Sequence, residues 1–112
     1  MMEEMTAGTR PTLLNRQIKH FLAFLHSAVG CFRIGEDAEG MENFLSAMEE
    51  LELVVKTDRN SPYPKIDLNL LLPSVRGLYF YMQNQDITGI ADLLEDAVAP
   101  LAENWLKEAG DT

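Results

Sequence analysis

The chain has 112 residues, of which 18 are acidic and 9 are basic, so its formal net charge is −9. This length fits one domain, and the 46% hydrophobic and 24% charged residues are typical of a globular protein. The negative charge disfavours binding to nucleic-acid phosphates and to anionic membranes. The single cysteine, Cys31, excludes an intramolecular disulfide.

Residues 1–11 are predicted to form a flexible tail in front of one helical domain over residues 12–109. The tail has two glutamates and no apolar core, which is unlike a signal peptide. No apolar run in the chain approaches the ~20 residues of a membrane span. We therefore expect a cytoplasmic protein that does not insert into membranes.

The first predicted helix follows Pro11, because proline is favoured at helix starts. Its apolar residues recur at spacings of three and four, which is typical of an amphipathic helix. They are Ile18, Leu22, Leu25, Val29 and Phe32. Gly35 is predicted to end this helix.

Acidic residues between 36 and 39 suit the start of a second helix, because the helix dipole favours negative charge there. The apolar stripe of this helix has the most regular spacing in the chain. It consists of Met41, Phe44, Met48, Leu51 and Val55. The two helices together form a predicted hairpin over residues 12–57.

A linker is predicted over residues 58–66, where Pro62 and Pro64 interrupt helical structure. A third helix then starts near Asp67 or Asn69, either of which is a favourable N-cap. Pro73 would lie in or near its first turn. The apolar stripe of this helix is Leu71, Val75, Leu78 and Met82.

A turn at residues 84–86 leads to a fourth predicted helix from Ile87 to about Glu108, with Gly110 ending it. Its stripe is Ile90, Leu94, Ala97, Leu101 and Trp105. Pro100 falls inside this helix and lacks a backbone N–H, so we expect a kink there. The third and fourth helices form a second predicted hairpin over residues 67–109.

The two hairpins resemble each other at an offset of 49 residues. Phe32 matches Tyr81 and Gly40 matches Gly89 in this comparison. Two amphipathic hairpins bury their stripes only by packing against each other. The predicted fold is therefore all-α, an antiparallel four-helix bundle made of two helical hairpins.

No set of residues predicts catalysis, a cofactor or a metal site. His20 and His26 are six residues apart, about 240° around a helix, so they cannot share an ion. Glu-x-x-His pairs, glycine-rich phosphate loops and a G-x-S-x-G elbow are absent from the sequence. We expect a protein that is not an enzyme.

The consecutive aromatic residues Tyr79, Phe80 and Tyr81 point in three directions around a helix, so at least one lies at the edge of the core. Aromatic residues and methionines are enriched at protein interfaces. We predict that the partner-binding residues are Tyr79, Tyr81, Met82 and Trp105. The alternative interpretation is that these side chains are ordinary core residues.

Several stretches resemble the flagellar secretion chaperones that bind flagellin. They are residues 78–82 before an acidic turn, residues 93–107, and the first hairpin from residue 24 through residues 35–37 to residue 51. The resemblance covers about residues 13–108. It implies an antiparallel bundle of four main helices that holds the C-terminal part of flagellin, or of another secreted or assembly protein, before export.

Two other functions compete with a chaperone or adaptor. The chain could instead be a structural module of another bacterial family, which forms a homodimer by burying the apolar face of the third helix against a second copy. A small ligand-binding or catalytic bundle would need polar residues that converge in an apolar cavity, and the sequence shows no such set.

Overall fold

The computed structural model describes residues 12–108. The helices are α1 (Leu13–Arg33), α2 (Asp37–Arg59), α3 (Leu68–Gln83) and α4 (Ile87–Leu93), which continues through a π-helical turn (Leu94–Val98) into α5 (Ala99–Glu108). The all-α prediction is confirmed. The predicted tail over residues 1–11 and the predicted stop at Gly110 lie outside the described residues.

Helix α1 is the element that contacts most of the others. It packs along α2, and it also contacts α4, the π-helical turn and α5. Helix α3 packs against α4 and the π-helical turn, whereas α2 and α3 do not pack closely against each other. These contacts are compatible with a helical bundle. Within residues 12–108, no helix combines the length and apolar content needed to cross a membrane.

The core is formed mainly by the stripes that the helical spacing predicts. All five stripe residues of α1 are buried. The largest side chains that are almost completely buried are Phe21, Phe44, Ile18, Leu25, Ile90 and Leu94. Because α1 supplies three of these six, it lies at the centre of the core.

The two three-residue turns that follow α1 and α3 have the same hydrogen bonds. The Glu36 amide donates to the Cys31 carbonyl, and the Asp86 amide donates to the Tyr81 carbonyl, both at 2.8 Å. These bonds define a Schellman motif, in which the residue before the donor has a left-handed backbone. That residue is Gly35 in the first turn, with φ 83°, and Gln85 in the second, with φ 54°. The predicted helix stop at Gly35 is confirmed.

An aromatic ring covers a glycine in each hairpin. A Cβ atom at Gly40 would lie 2.6 Å from a ring carbon of Phe32, and one at Gly89 would lie 2.5 Å from a ring carbon of Tyr81. These pairs repeat at an offset of 49, whereas the turn hydrogen bonds repeat at 50. The two hairpins therefore have the same turn, but the ring residue lies at different positions relative to it. In the first hairpin Phe32 follows the acceptor residue Cys31, whereas in the second Tyr81 is itself the acceptor residue.

The fourth helix contains a π-helical turn directly before Pro100, where a kink was predicted. A π-helical turn inserts one extra residue, so the buried face changes its phase along the helix. Ile90 is buried before it, Leu94 and Val98 are buried within it, and Ala102 and Trp105 are buried after it. Ala97 and Leu101, which the regular spacing placed on the stripe, lie at the edge of the core.

The connection between the hairpins covers residues 60–67, slightly later than the predicted linker 58–66. Asp67 is the N-cap of α3, and its carboxylate accepts a hydrogen bond from the Asn69 amide at 2.9 Å. Pro73 is the sixth residue of α3 and lies beyond the predicted first turn. Its missing N–H therefore removes one bond from the helix interior.

Arg33 joins the end of α1 to the fourth helix. Its guanidinium donates to Asp92 at 2.8 Å and to Glu95 at 2.7 Å. Hydrogen bonds to Glu95 and Asp92 raise the pKa of Arg33 above its ordinary value. All three side chains are well exposed, so these ion pairs contribute little to the free energy of unfolding. Their main effect is to fix the end of α1 relative to the fourth helix.

We predict that Gln85→Gly raises the free energy of unfolding by about 0.5–1 kcal/mol, because glycine adopts a positive φ without steric cost. The matched change Gly35→Ala should lower it by about 1 kcal/mol. Apart from Gly35 itself and its two neighbours in the chain, no atom lies within 4 Å of a Cβ at this position, so the positive φ alone opposes the side chain. Urea denaturation measures both changes, and a less stable Gln85→Gly variant would contradict this account of the turn.

Candidate functional site

Helices α2 and α3 leave an apolar groove between them. Its volume is about 420 Å³, and seven of its nine lining residues are apolar. The lining residues are Met48, Leu51, Glu52, Val55, Lys56, Leu68, Leu71, Leu72 and Val75. We call this feature the α2–α3 groove.

One wall of the groove is an edge of the apolar face of α2. Phe44 and Leu51 at the middle of that face are buried, whereas Met48 and Val55 are only half-buried. Leu45 precedes Met48 by three residues and is 49% exposed. Residues three or four apart are neighbours on a helix surface, so Leu45 extends this wall beyond the lining residues.

The other wall is a continuous apolar row on α3. Leu68, Leu72, Val75, Tyr79 and Met82 follow one another at spacings of four, three, four and three, which places them on one face of the helix. Leu68, Leu72 and Val75 line the groove. Tyr79 and Met82 extend the row to a length of about 20 Å.

A buried carboxylate fixes the end of the groove at the connection between α2 and α3. Asp58 lies in the last turn of α2 and is fully buried. Its two oxygens accept hydrogen bonds from the amides of Lys65 at 2.8 Å and Ile66 at 3.0 Å. Because these amides lie just before α3, Asp58 determines where α3 starts relative to α2.

The structure brings together two of the four predicted partner-binding residues. Tyr79 and Met82 are 63% and 36% exposed and share the groove-facing row of α3. Tyr81 is half-buried and covers Gly89 between α3 and α4. Trp105 is 5% exposed and belongs to the core, apart from the surface row. Of the four predicted residues, Tyr79 and Met82 therefore lie on the exposed row of α3.

The α2 wall of the groove was not predicted from the sequence. Met48 and Val55 were interpreted as ordinary residues of a core stripe, and Leu72 was not assigned to any stripe. A usable signal was the width of the apolar face, because Leu45 and Met48 lie beside the Phe44–Leu51 line rather than on it. Periodicity alone does not say that such an edge remains uncovered.

The two histidines and the cysteine lie outside the α2–α3 groove. His20 and His26 are exposed on α1. Cys31 is half-buried and accepts a weak hydrogen bond from Asn43 at 3.8 Å. Between residues 12 and 108, no three histidine, cysteine or acidic side chains are placed to hold a metal ion.

Comparison of the chain with protein-family models, with curated protein sequences and with solved structures found no match. The groove and its surroundings are therefore interpreted from their own chemistry.

We predict that Asp58→Ala lowers the free energy of unfolding by about 2–4 kcal/mol, because it leaves the amides of Lys65 and Ile66 without an acceptor. Asp58→Asn, which keeps one acceptor oxygen, should cost less. Asp96→Ala is the matched control for an exposed acid and should change stability by less than about 0.5 kcal/mol. Equal losses for Asp58→Ala and Asp96→Ala in chemical denaturation would argue against the role of Asp58.

Proposed function

We propose that this protein is a non-enzymatic, protein-binding helical domain whose α2–α3 groove holds an apolar helical segment of a partner. In this proposal the two hairpins form an antiparallel four-helix bundle that is open on the side of α2 and α3. An amphipathic helix fits such a site, because its apolar face fills the groove while its polar face remains in water.

The observation that carries the proposal is the composition and exposure of α3. Its sixteen residues include one charged side chain, Arg76. Helices that are apolar all round are normally buried on every side. This helix nevertheless leaves five large apolar side chains exposed, namely Leu70, Leu72, Tyr79, Phe80 and Met82. Exposed apolar surface of this extent is typical of an interaction site.

The resemblance to flagellar secretion chaperones suggests the most specific form of this function. In that form the domain acts in the bacterial cytoplasm and holds the C-terminal part of flagellin, or of a related export substrate, before secretion. The groove suits that role because it shields apolar side chains that would otherwise associate with other copies of the substrate.

Self-association is a second candidate function, in which a second copy covers the groove. The absence of acidic residues from α3 favours it, because two copies of a chain with a net charge of −9 would meet at α3 without opposing carboxylates. Sedimentation velocity over a range of concentrations separates the two candidates. A mass that doubles with concentration indicates a homodimer, and a constant monomer mass favours a separate partner.

We predict that Tyr79→Ala weakens binding of a flagellin C-terminal segment by at least about tenfold, because it removes an exposed aromatic side chain from the groove wall. The stability of the free domain should change by less than about 0.5 kcal/mol, since the ring is 63% exposed. Isothermal titration calorimetry measures the affinity, and urea denaturation measures the stability.

Phe80→Ala is the matched control for this experiment. Phe80 is the next residue and is 59% exposed, but it points about 100° away from the groove-facing row. Its removal should leave the affinity within about twofold of the original value. Similar losses of affinity for both variants would place the binding site elsewhere on α3. If the unmodified protein gives no saturable heat with the flagellin segment, the flagellin form of the proposal is contradicted.

A further inference from the structure

The acidic side chains beside the α2–α3 groove lie on α2 only, because α3 has no acidic residue. On α2, Glu42 and Glu49 are exposed and seven residues apart, and Glu52 lines the groove three residues later. Spacings of seven and three place these carboxylates along the same side of the helix. On α3 the single charged residue is Arg76, which is positive. The α2 wall therefore carries three acids and one lining cation, Lys56, and we call it the acidic wall, whereas the α3 wall has no acids.

These carboxylates are largely free to meet a partner. Glu42 and Glu49 form no ion pair with any residue in the range 12–108. Glu52 approaches the Lys56 ammonium at 3.8 Å, but both side chains are more than two-thirds exposed and the pair lies within one helix. Such a pair is weak and exchanges readily for a better-placed cation.

We propose that the partner segment is an amphipathic helix with lysine or arginine residues along the flank of its apolar stripe that faces α2. This inference rests on the proposed function of the groove and adds the chemistry of the partner. When the apolar stripe enters the groove, the flanking cations lie beside Glu42, Glu49 and Glu52. Docking displaces water from this rim, so the attraction is stronger there than between fully hydrated charges.

The spacing of the acids sets the pattern of cations. Glu42 and Glu52 are ten residues apart, which corresponds to about 15 Å along a helix. A docked helix offers two or three flank positions within that length, at spacings of three, four or seven residues. The flank that faces Arg76 must be neutral or acidic. A helix with acids on the α2 flank is rejected by the same carboxylates that attract cations.

The test uses three synthetic helical peptides of about 18 residues that share one leucine stripe and differ only on one flank. The flank carries lysines, glutamines or glutamates. Their affinities for the full-length chain are measured by fluorescence anisotropy in about 50 mM and about 500 mM salt. We expect the lysine peptide to bind at least about tenfold more tightly than the glutamate peptide at low salt, with the glutamine peptide between them and the difference reduced at high salt.

Two protein variants test whether the preference for the lysine peptide comes from the acids of α2 beside the groove. Glu49→Lys changes the acidic wall, and Glu50→Lys makes the same change in net charge at the next residue of the same helix. Glu50 lies about 200° around α2 from both Met48 and Glu52, on the side turned away from the groove. Glu49→Lys should weaken the lysine peptide by about threefold or more and strengthen the glutamate peptide. Glu50→Lys should leave the order of the three affinities unchanged.

The outcomes separate this inference from the proposed function. Equal binding of all three peptides would overturn the inference and leave the groove as a binding site. Equal effects of Glu49→Lys and Glu50→Lys would also overturn it, because the selectivity would then come from the overall negative charge of the protein. Failure of all three peptides to bind at high micromolar concentration would reject the proposed function itself.

Discussion

Helix α1 is packed on one side by α2 and on another by the fourth helix, and the rest of the structure depends on this double contact. Ile18, Phe21 and Leu25 of α1 are completely buried, so α1 forms the centre from which both hairpins are held. Helices α2 and α3 are each anchored by one main neighbour and do not need to pack against each other. The α2–α3 groove follows from this arrangement, because none of these contacts closes that side.

Local spacing in the sequence was enough to predict the helices and the buried face of α1. On α2 only Phe44 and Leu51 of the five predicted stripe residues are buried. The N-cap at Asp67, one of two predicted candidates, and the helix stop at Gly35 were also predictable, since they act through their own side chain or backbone conformation. Which residues of the last helix are buried between Leu94 and Trp105 was not predictable. The π-helical turn contains one more residue than an α-helical turn, so Val98 is buried in place of Ala97. That shift depends on how the helix packs on α1, which a single segment does not specify.

The candidate site was half predicted from the sequence. Three consecutive aromatic residues gave a reason to expect surface exposure on α3, and Tyr79 is the one that shares the groove-facing row. Sequence alone could not separate Tyr79 from Tyr81, which is occupied in covering Gly89. Sequence alone also could not reveal that no helix covers the edge of α2 at Met48. Uncovered edges result from the arrangement of several helices, whereas apolar spacing is a property of each helix alone.

The Asp58 carboxylate has a consequence for the thermodynamics of the binding that we propose. It ties the end of α2 to the backbone just before α3, so the two walls of the groove are held in place before any segment enters. A binding surface that is already ordered loses little conformational entropy on association, and more of the apolar contact energy then appears as affinity. Rigid docking also involves little backbone rearrangement. In the proposed complex, most of the entropic cost of ordering would therefore fall on the partner segment.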